Sequence, residues 1–183
     1  MKQFYSLLLT VLVVCSCGSF EDKAKEQLKS TIKEIAINPD TYKIDNLKTM
    51  YVCDSLCDLQ FIGRGQNGLG GWSKSKFEYV YYYYTDDDGS HKYKEAIFDL
   101  EDDNSPYECA NEEANHILEI IKNGEWEEKT KGTNKYSMGV TVFNLYEAAK
   151  EGFPLNDEEK VKDFVICKEI RLAVMFKSRV IEK

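Results

Sequence analysis

The feature that most constrains this chain is the stretch from Cys57 to Tyr84. It reads as strand, glycine-rich connection, strand, and it holds the densest glycine and the densest tyrosine in the sequence. From Leu56, apolar Cys57, Leu59 and Phe61 alternate with polar Asp58 and Gln60, the period of a half-buried strand. After Gly63-Arg64-Gly65-Gln66-Asn67-Gly68-Leu69-Gly70-Gly71-Trp72 a second strand spans Phe77 to Tyr84. Successive strand side chains point to opposite faces. One face therefore carries Phe77, Tyr79, Tyr81 and Tyr83, and the other Glu78, Val80, Tyr82 and Tyr84. Asp86-Asp87-Asp88-Gly89-Ser90 is a tight-turn signal leading to a third strand, Tyr93 to Leu100. The expectation is an antiparallel meander.

The rest of the chain is read as support. Residues 21 to 37 place Ala24, Leu28, Ile32, Ile35 and Ala36 at helical spacing. Glu21 and Asp22 suit the helix N-terminus, and Asn38-Pro39 ends it. Asp40 to Ile44 leads into extended chain. Ser105-Pro106 opens a helix to about Ile121, closed by Asn123-Gly124. Glu127 to Gly132 reads as a loop, and Val140 to Lys150 as a helix, although Val140 to Phe143 also suits a strand. Asn156 with Glu159 resembles a capping box opening a further helix through Val161, Phe164, Val165 and Leu172. Ala173 to Phe176 is ambiguous between helix and strand. The predicted fold is α+β: an N-terminal helix packed on an antiparallel meander, then a helical C-terminal section from 105 to 183 in the same domain.

The N-terminus is a targeting segment. Lys2 precedes the apolar run Leu7 to Val14, too short to span a bilayer, and small Ser16 precedes Cys17. That order resembles the lipobox of bacterial lipoproteins, which implies removal of residues 1–16 and lipidation of Cys17. Cys15 competes but follows bulky Val14, and an ordinary secretory signal cleaved nearby is the alternative. By the same resemblance, Gly18 lacks the aspartate of inner-membrane retention, which favours the outer membrane. Glu21 and Asp22 are similar to surface-export signals of Bacteroidetes lipoproteins. Without Lys2 the chain keeps 23 basic against 32 acidic residues, a net charge of −9. Such a balance excludes nucleic acid and anionic lipid as partners, because both require a basic patch. It suits a body held by acyl chains. Cys53, Cys57, Cys109 and Cys167 remain; an exported chain permits disulfides, and sequence does not choose among three complete pairings. Cys53 and Cys57 lie about 13 Å apart along one strand and meet only if Asp54-Ser55 turns the chain.

The helix followed by Asn38-Pro39-Asp40-Thr41-Tyr42-Lys43-Ile44, Asp54-Ser55-Leu56-Cys57 and Asn67-Gly68-Leu69-Gly70-Gly71 resembles small lipoproteins of Bacteroidetes over residues 21 to 84. More distantly it is similar to exported bacterial domains with an N-x-x-G-G turn. No activity attaches to that resemblance, so it carries over no functional residues. Asp54-Ser55-Leu56 also resembles the Asp-Ser/Thr-aliphatic O-glycosylation site of exported Bacteroidetes proteins, with Ser55 as acceptor if it is exposed at a turn.

Chemical motifs are few. Gly63 to Gly68 matches G-x-G-x-x-G as a string, but a strand follows where the pyrophosphate needs a helix N-terminus. Asp86, Asp88, Gly89 and Glu95 fall in a calcium-loop register whose first position, Tyr84, is no carboxylate ligand. His91 and His116 have no zinc-spaced partners. No cofactor or metal is expected. The remaining signal is aromatic: if the Tyr82/Tyr84 face is open, those rings with Arg64, Asn67 and Trp72 form a platform for a protein or a glycan. If the C-terminal helices cover it, every tyrosine is structural. The reading is a non-catalytic binding or envelope-support lipoprotein, its partners the membrane through Cys17 and a protein or glycan. An inhibitor or immunity lipoprotein and a carboxylate hydrolase are the alternatives, the latter requiring close carboxylates of raised pKa in a cleft.

Overall fold

The computed structural model describes residues 19–131 and 139–177, and the backbone of 181–182. Cys17 and the leader lie outside the described residues. The fold is α+β. Helix α1 (Phe20–Ile35) precedes a short 3-10 turn (Pro39–Thr41) and four long strands: β1 (Lys43–Cys53), β2 (Leu56–Gln66), β3 (Trp72–Thr85) and β4 (His91–Asp99). The described helices that follow are α2 (Pro106–Lys122), α3 (Trp126–Thr130), α4 (Val140–Lys150) and α5 (Glu158–Phe176), and Ile181–Glu182 form a short β5 on β4. The strands lie in chain order, β1-β2-β3-β4-β5, all antiparallel.

Both sheet faces are covered. On one, Cys57, Leu59, Phe61, Tyr79 and Tyr81 pack on Ala24, Leu28 and Ile32 of α1. On the other, Leu56, Val80, Tyr82, Ala96 and Phe98 pack under α2, α4 and α5. Leu28, Phe61 and Tyr79 are essentially unexposed, each contributing about 1.5–3 kcal/mol of burial. Helix α1 starts at Ser19, whose hydroxyl accepts from the Asp22 N–H while the Asp22 carboxylate accepts from the Ser19 N–H. In α2 the Ser105 hydroxyl caps Glu108 N–H, with Pro106 at the first helical position.

Several elements differ from expectation. Extended chain after Tyr42 is an eleven-residue edge strand; two register shifts and a left-handed Asn46 (φ 52°) erase its alternation. β3 begins at Trp72, five residues before Phe77, because Trp72 to Lys76 hydrogen-bond to Ile62–Gln66 although that polar run faces water. Of the segment read as loop, Glu127 to Gly132, residues 127–130 belong to α3, whose first residue Trp126 is buried in the core. Asp157, not Asn156, caps α5, which continues as helix to Phe176. Val140 to Lys150 is helical.

Gly63 and Gly65 lie within β2 rather than in a loop, and Tyr42 explains them. A Cβ on Gly63 would lie 2.0 Å from the Tyr42 hydroxyl oxygen, and one on Gly65 2.9 Å from the Tyr42 ring. The tyrosine lies flat across glycine backbone. Gly65→Ala should therefore cost about 1–3 kcal/mol by overpacking, and far less in a Tyr42→Ala background. Urea unfolding of the four chains in that cycle tests this; additive costs would contradict the Tyr42 explanation.

Candidate functional site

Position along the sheet separates the residues the sequence grouped. Tyr82 and Tyr84 lie near one end of β3 and Trp72 at the other, ten residues or roughly 33 Å away. Tyr82 is only 4% exposed, packed beneath the core helices with the Arg171 guanidinium 5.5 Å from its ring centre. Tyr84 is half-buried against the same core, with Lys94 over its ring. The expected open tyrosine platform is thus covered. The odd-numbered face is closed as well: Phe20 of α1 stacks on Tyr81 at 5.5 Å, and Tyr81 on Tyr93 at 5.4 Å.

Two buried carboxylates serve the helices on these faces. Glu95 of β4, 1% exposed, accepts from Thr31 Oγ1 of α1 at 2.8 Å, from Gln27 Nε2 at 3.4 Å and from the Tyr79 hydroxyl. Burial and the Glu95 carboxylate push the Tyr79 phenol far up, so it stays a donor. Glu78 of β3, on the other face, accepts from Ser105 Oγ at 2.6 Å and from the Tyr107 N–H at 2.8 Å. It thereby holds the first turn of α2, where a negative charge is favoured.

Asp58 sits beside Glu78 and is also unexposed. Neither of its oxygens has a hydrogen-bond partner. Burial, and then the Glu78 charge, raise its pKa well above the usual carboxylate range, which favours the protonated form beside Glu78. The two carboxyls are close and Asp58 has a raised pKa, but they are sealed between the sheet and α2 rather than set in a cleft.

At the other end of the sheet the β2–β3 hairpin presents itself to solvent. Asn67 builds its turn: the side-chain carbonyl accepts from Leu69 N–H at 3.1 Å and Gly71 N–H at 2.9 Å, and Asn67 N–H donates to Gly71 O at 2.8 Å. Gly70 takes φ 80°, which favours glycine. Asn38 Nδ2 donates to Gln66 O and Asn67 O from the segment after α1. This ordered turn holds Leu69 97% exposed and Trp72 63% exposed. Arg64 and Lys74 pair across the ladder beside Trp72, and Arg64 is salt-bridged to Asp45. On the α1 side lies an apolar cleft of about 270 Å³, floored by Ile32, Tyr42, Phe61 and Phe77 and edged by Ile35 and Ile37. Ile35 and Ile37 are exposed too. Among the predicted contact residues, Arg64 and Trp72 occupy this end, and Asn67 is its internal brace. The cleft and Leu69 escaped sequence reading, because Ile35 fitted the buried stripe of α1.

Ser55 does sit at a two-residue turn, but it is half-buried and its hydroxyl accepts from Arg171 Nη2 at 2.5 Å. The expected O-glycosylation acceptor is thus at a turn, half-buried and engaged by Arg171. The Asp86–Ser90 segment is a hairpin turn closed by Asp86 N–H to Ser90 O, with Asp86 bound to Lys92 and Glu95 buried elsewhere. It is no calcium loop. His91 and His116 are exposed and far apart in the fold. No group of described residues has the make-up of a metal site, and no helix among them is long and apolar enough to cross a membrane. Compared with known proteins, the chain matches no family model, no curated protein sequence and no solved structure.

The Asp58 assignment has a pH signature. Its folded pKa lies above the unfolded value of 3.8, so its contribution is complete below that value and is lost as pH rises through the folded pKa. Asp58→Asn should flatten this loss and be more stable than the parent at pH 8. Thermal melts from pH 4 to 9 test it; a parallel pH dependence in the two proteins would contradict it.

Proposed function

We propose that this chain is a non-catalytic, lipid-anchored binding protein of the outer membrane, and that its contact surface is the end of the β2–β3 hairpin. The observation that carries this reading is an ordered turn that holds Leu69 and Trp72 in water beside an apolar cleft edged by exposed Ile35 and Ile37. Apolar side chains gathered at one exposed end mark interaction surfaces. Because Asn67 and Asn38 already fix the turn, little ordering entropy remains to be lost on binding. The partner is taken to be a protein: Asn67 is engaged within the turn and offers a sugar little, whereas Leu69, Ile35 and Ile37 suit apolar side chains. Arg64, Lys74 and Lys76 near Trp72 suit acidic groups around that apolar contact.

Chain direction supports the same surface. Phe20 at the start of α1 packs on Tyr81 and Tyr83, while Ile35 at its end borders the cleft. Helix α1 thus runs from the Tyr81/Tyr83 end of the sheet to the hairpin end, a span of about 24 Å. An acyl anchor on Cys17 would leave the hairpin turn on the side away from the bilayer.

Photo-crosslinking in cells tests this. A photoreactive residue at Leu69 or Trp72 should give one discrete protein adduct, lost on Lys74→Glu with Lys76→Glu, and none from exposed Lys29. No adduct at 69 or 72, or the same adducts from Lys29, would contradict the assignment.

A further inference from the structure

Among the described residues Cys53, Cys57, Cys109 and Cys167 are free thiols, and their positions narrow the possible pairings. The chain does turn at Asp54-Ser55, yet Cys57 pairs across the ladder with Val52, and Cys53 with Leu56. Cys53 therefore projects toward the α2/α5 side and Cys57 toward α1. They lie on opposite faces of the sheet and cannot be joined. Cys57 is unexposed, and burial with the nearby Glu21 charge pushes its thiol up to about 12; it behaves as a small core residue. Cys109 lies on the exposed side of α2.

Cys53 is different. The end of β1 and the turn that follows it each reach α5 through one side-chain contact. The Tyr51 hydroxyl donates to Asp163 O at 3.3 Å, and Arg171 Nη2 donates to Ser55 Oγ at 2.5 Å. Cys53 is midway between Tyr51 and Ser55, and Cys167 midway between Asp163 and Arg171. The bracket leaves them side by side, and each thiol is the largest influence on the other's ionisation. Both are half-buried, so an oxidant can reach them.

We propose that Cys53 and Cys167 form a disulfide in an oxidising compartment, fastening the β1–β2 turn to α5. The Cys167 thiol, aided by the Ser55 and Leu56 amides and the Ser55 hydroxyl, draws the Cys53 pKa down against the opposing effect of burial. Cys53 is the attacking thiolate. It attacks one sulfur of a small or protein disulfide oxidant, forming a mixed disulfide and expelling the other sulfur as a thiolate. That step removes the Cys53 charge, which had held the Cys167 proton in place. Cys167, near the Arg171 and Lys168 charges, loses its proton to solvent and attacks Cys53 Sγ. The second oxidant sulfur leaves as a thiolate. The oxidant is reduced by two electrons to two thiols, and the protein pair is oxidised by two. The bond closes a loop of ~110 residues, in the range where cross-linking restricts the unfolded chain most.

This goes beyond the binding assignment and takes from it only the exported location. The test is full-length chain in detergent, equilibrated with glutathione buffers of graded poise, acid-quenched, alkylated and mapped by peptide mass spectrometry. A Cys53–Cys167 linked peptide is expected, with Cys57 and Cys109 alkylated, and reduction should lower Tm by roughly 5–15 °C. In Cys167→Ser, Cys53 should accumulate as the glutathione mixed disulfide. Alkylation of both residues at every poise, or Cys53 linked to Cys57 or Cys109, would overturn the proposal. Cells trapped by alkylation at harvest form a separate arm: a bond that forms in buffer but is missing there supports the pairing and overturns the exported location instead.

Discussion

The structure depends on buried carboxylates placed on opposite faces of one sheet. Glu95 faces α1 and gathers Thr31, Gln27 and the Tyr79 hydroxyl; Glu78 faces α2 and takes Ser105 and the Tyr107 amide. A charge out of water is costly unless it is paired or hydrogen-bonded. Each carboxylate is satisfied only when its helix is docked in one register. The apolar contacts of Leu28, Tyr79 and Val80 supply the larger driving force, and the carboxylates select the arrangement. Asp58, holding its proton beside Glu78, extends the same device without adding a second buried charge.

Docking helices on both faces consumes the tyrosines. Tyr79 and Tyr81 are spent on α1, and Tyr82 on α5. The surface left for a partner is where the helices end and the sheet continues. There, the β2–β3 hairpin projects with Trp72, Arg64 and Lys74, and the Asn67 turn holds Leu69 outward. Tyr42 lying across Gly63 and Gly65 stiffens the α1 side of that end, next to the cleft. Gly63 and Gly65, which the sequence assigns to a connection, are strand residues that make room for a ring.

Much of this fold was legible because period-two and helical patterns were clean in Leu56–Phe61, Phe77–Tyr84 and α2. β1 was not legible, since two bulges break its alternation, and α3 is too short and charged to show a period. The candidate site was legible in part. Trp72 and Arg64 stood out by residue type, and alternation placed Tyr82 on a distinct face. Whether that face met water was a tertiary matter, decided by α2 and the much later α5 packing over it. Leu69 and Ile35 looked ordinary in sequence and became notable only through exposure. The Cys53–Cys167 pairing needed the strand and the helix set side by side.

Among the described residues, both faces of the sheet are sealed and the β2–β3 hairpin end is open. Hydroxyl-radical footprinting of the full-length chain measures this side chain by side chain. Leu69 and Trp72 should oxidise rapidly, while Tyr79, Tyr81 and Tyr82 stay protected until the protein is unfolded in urea. Oxidation of Tyr82 in the native protein at a rate comparable to Trp72 would contradict the account.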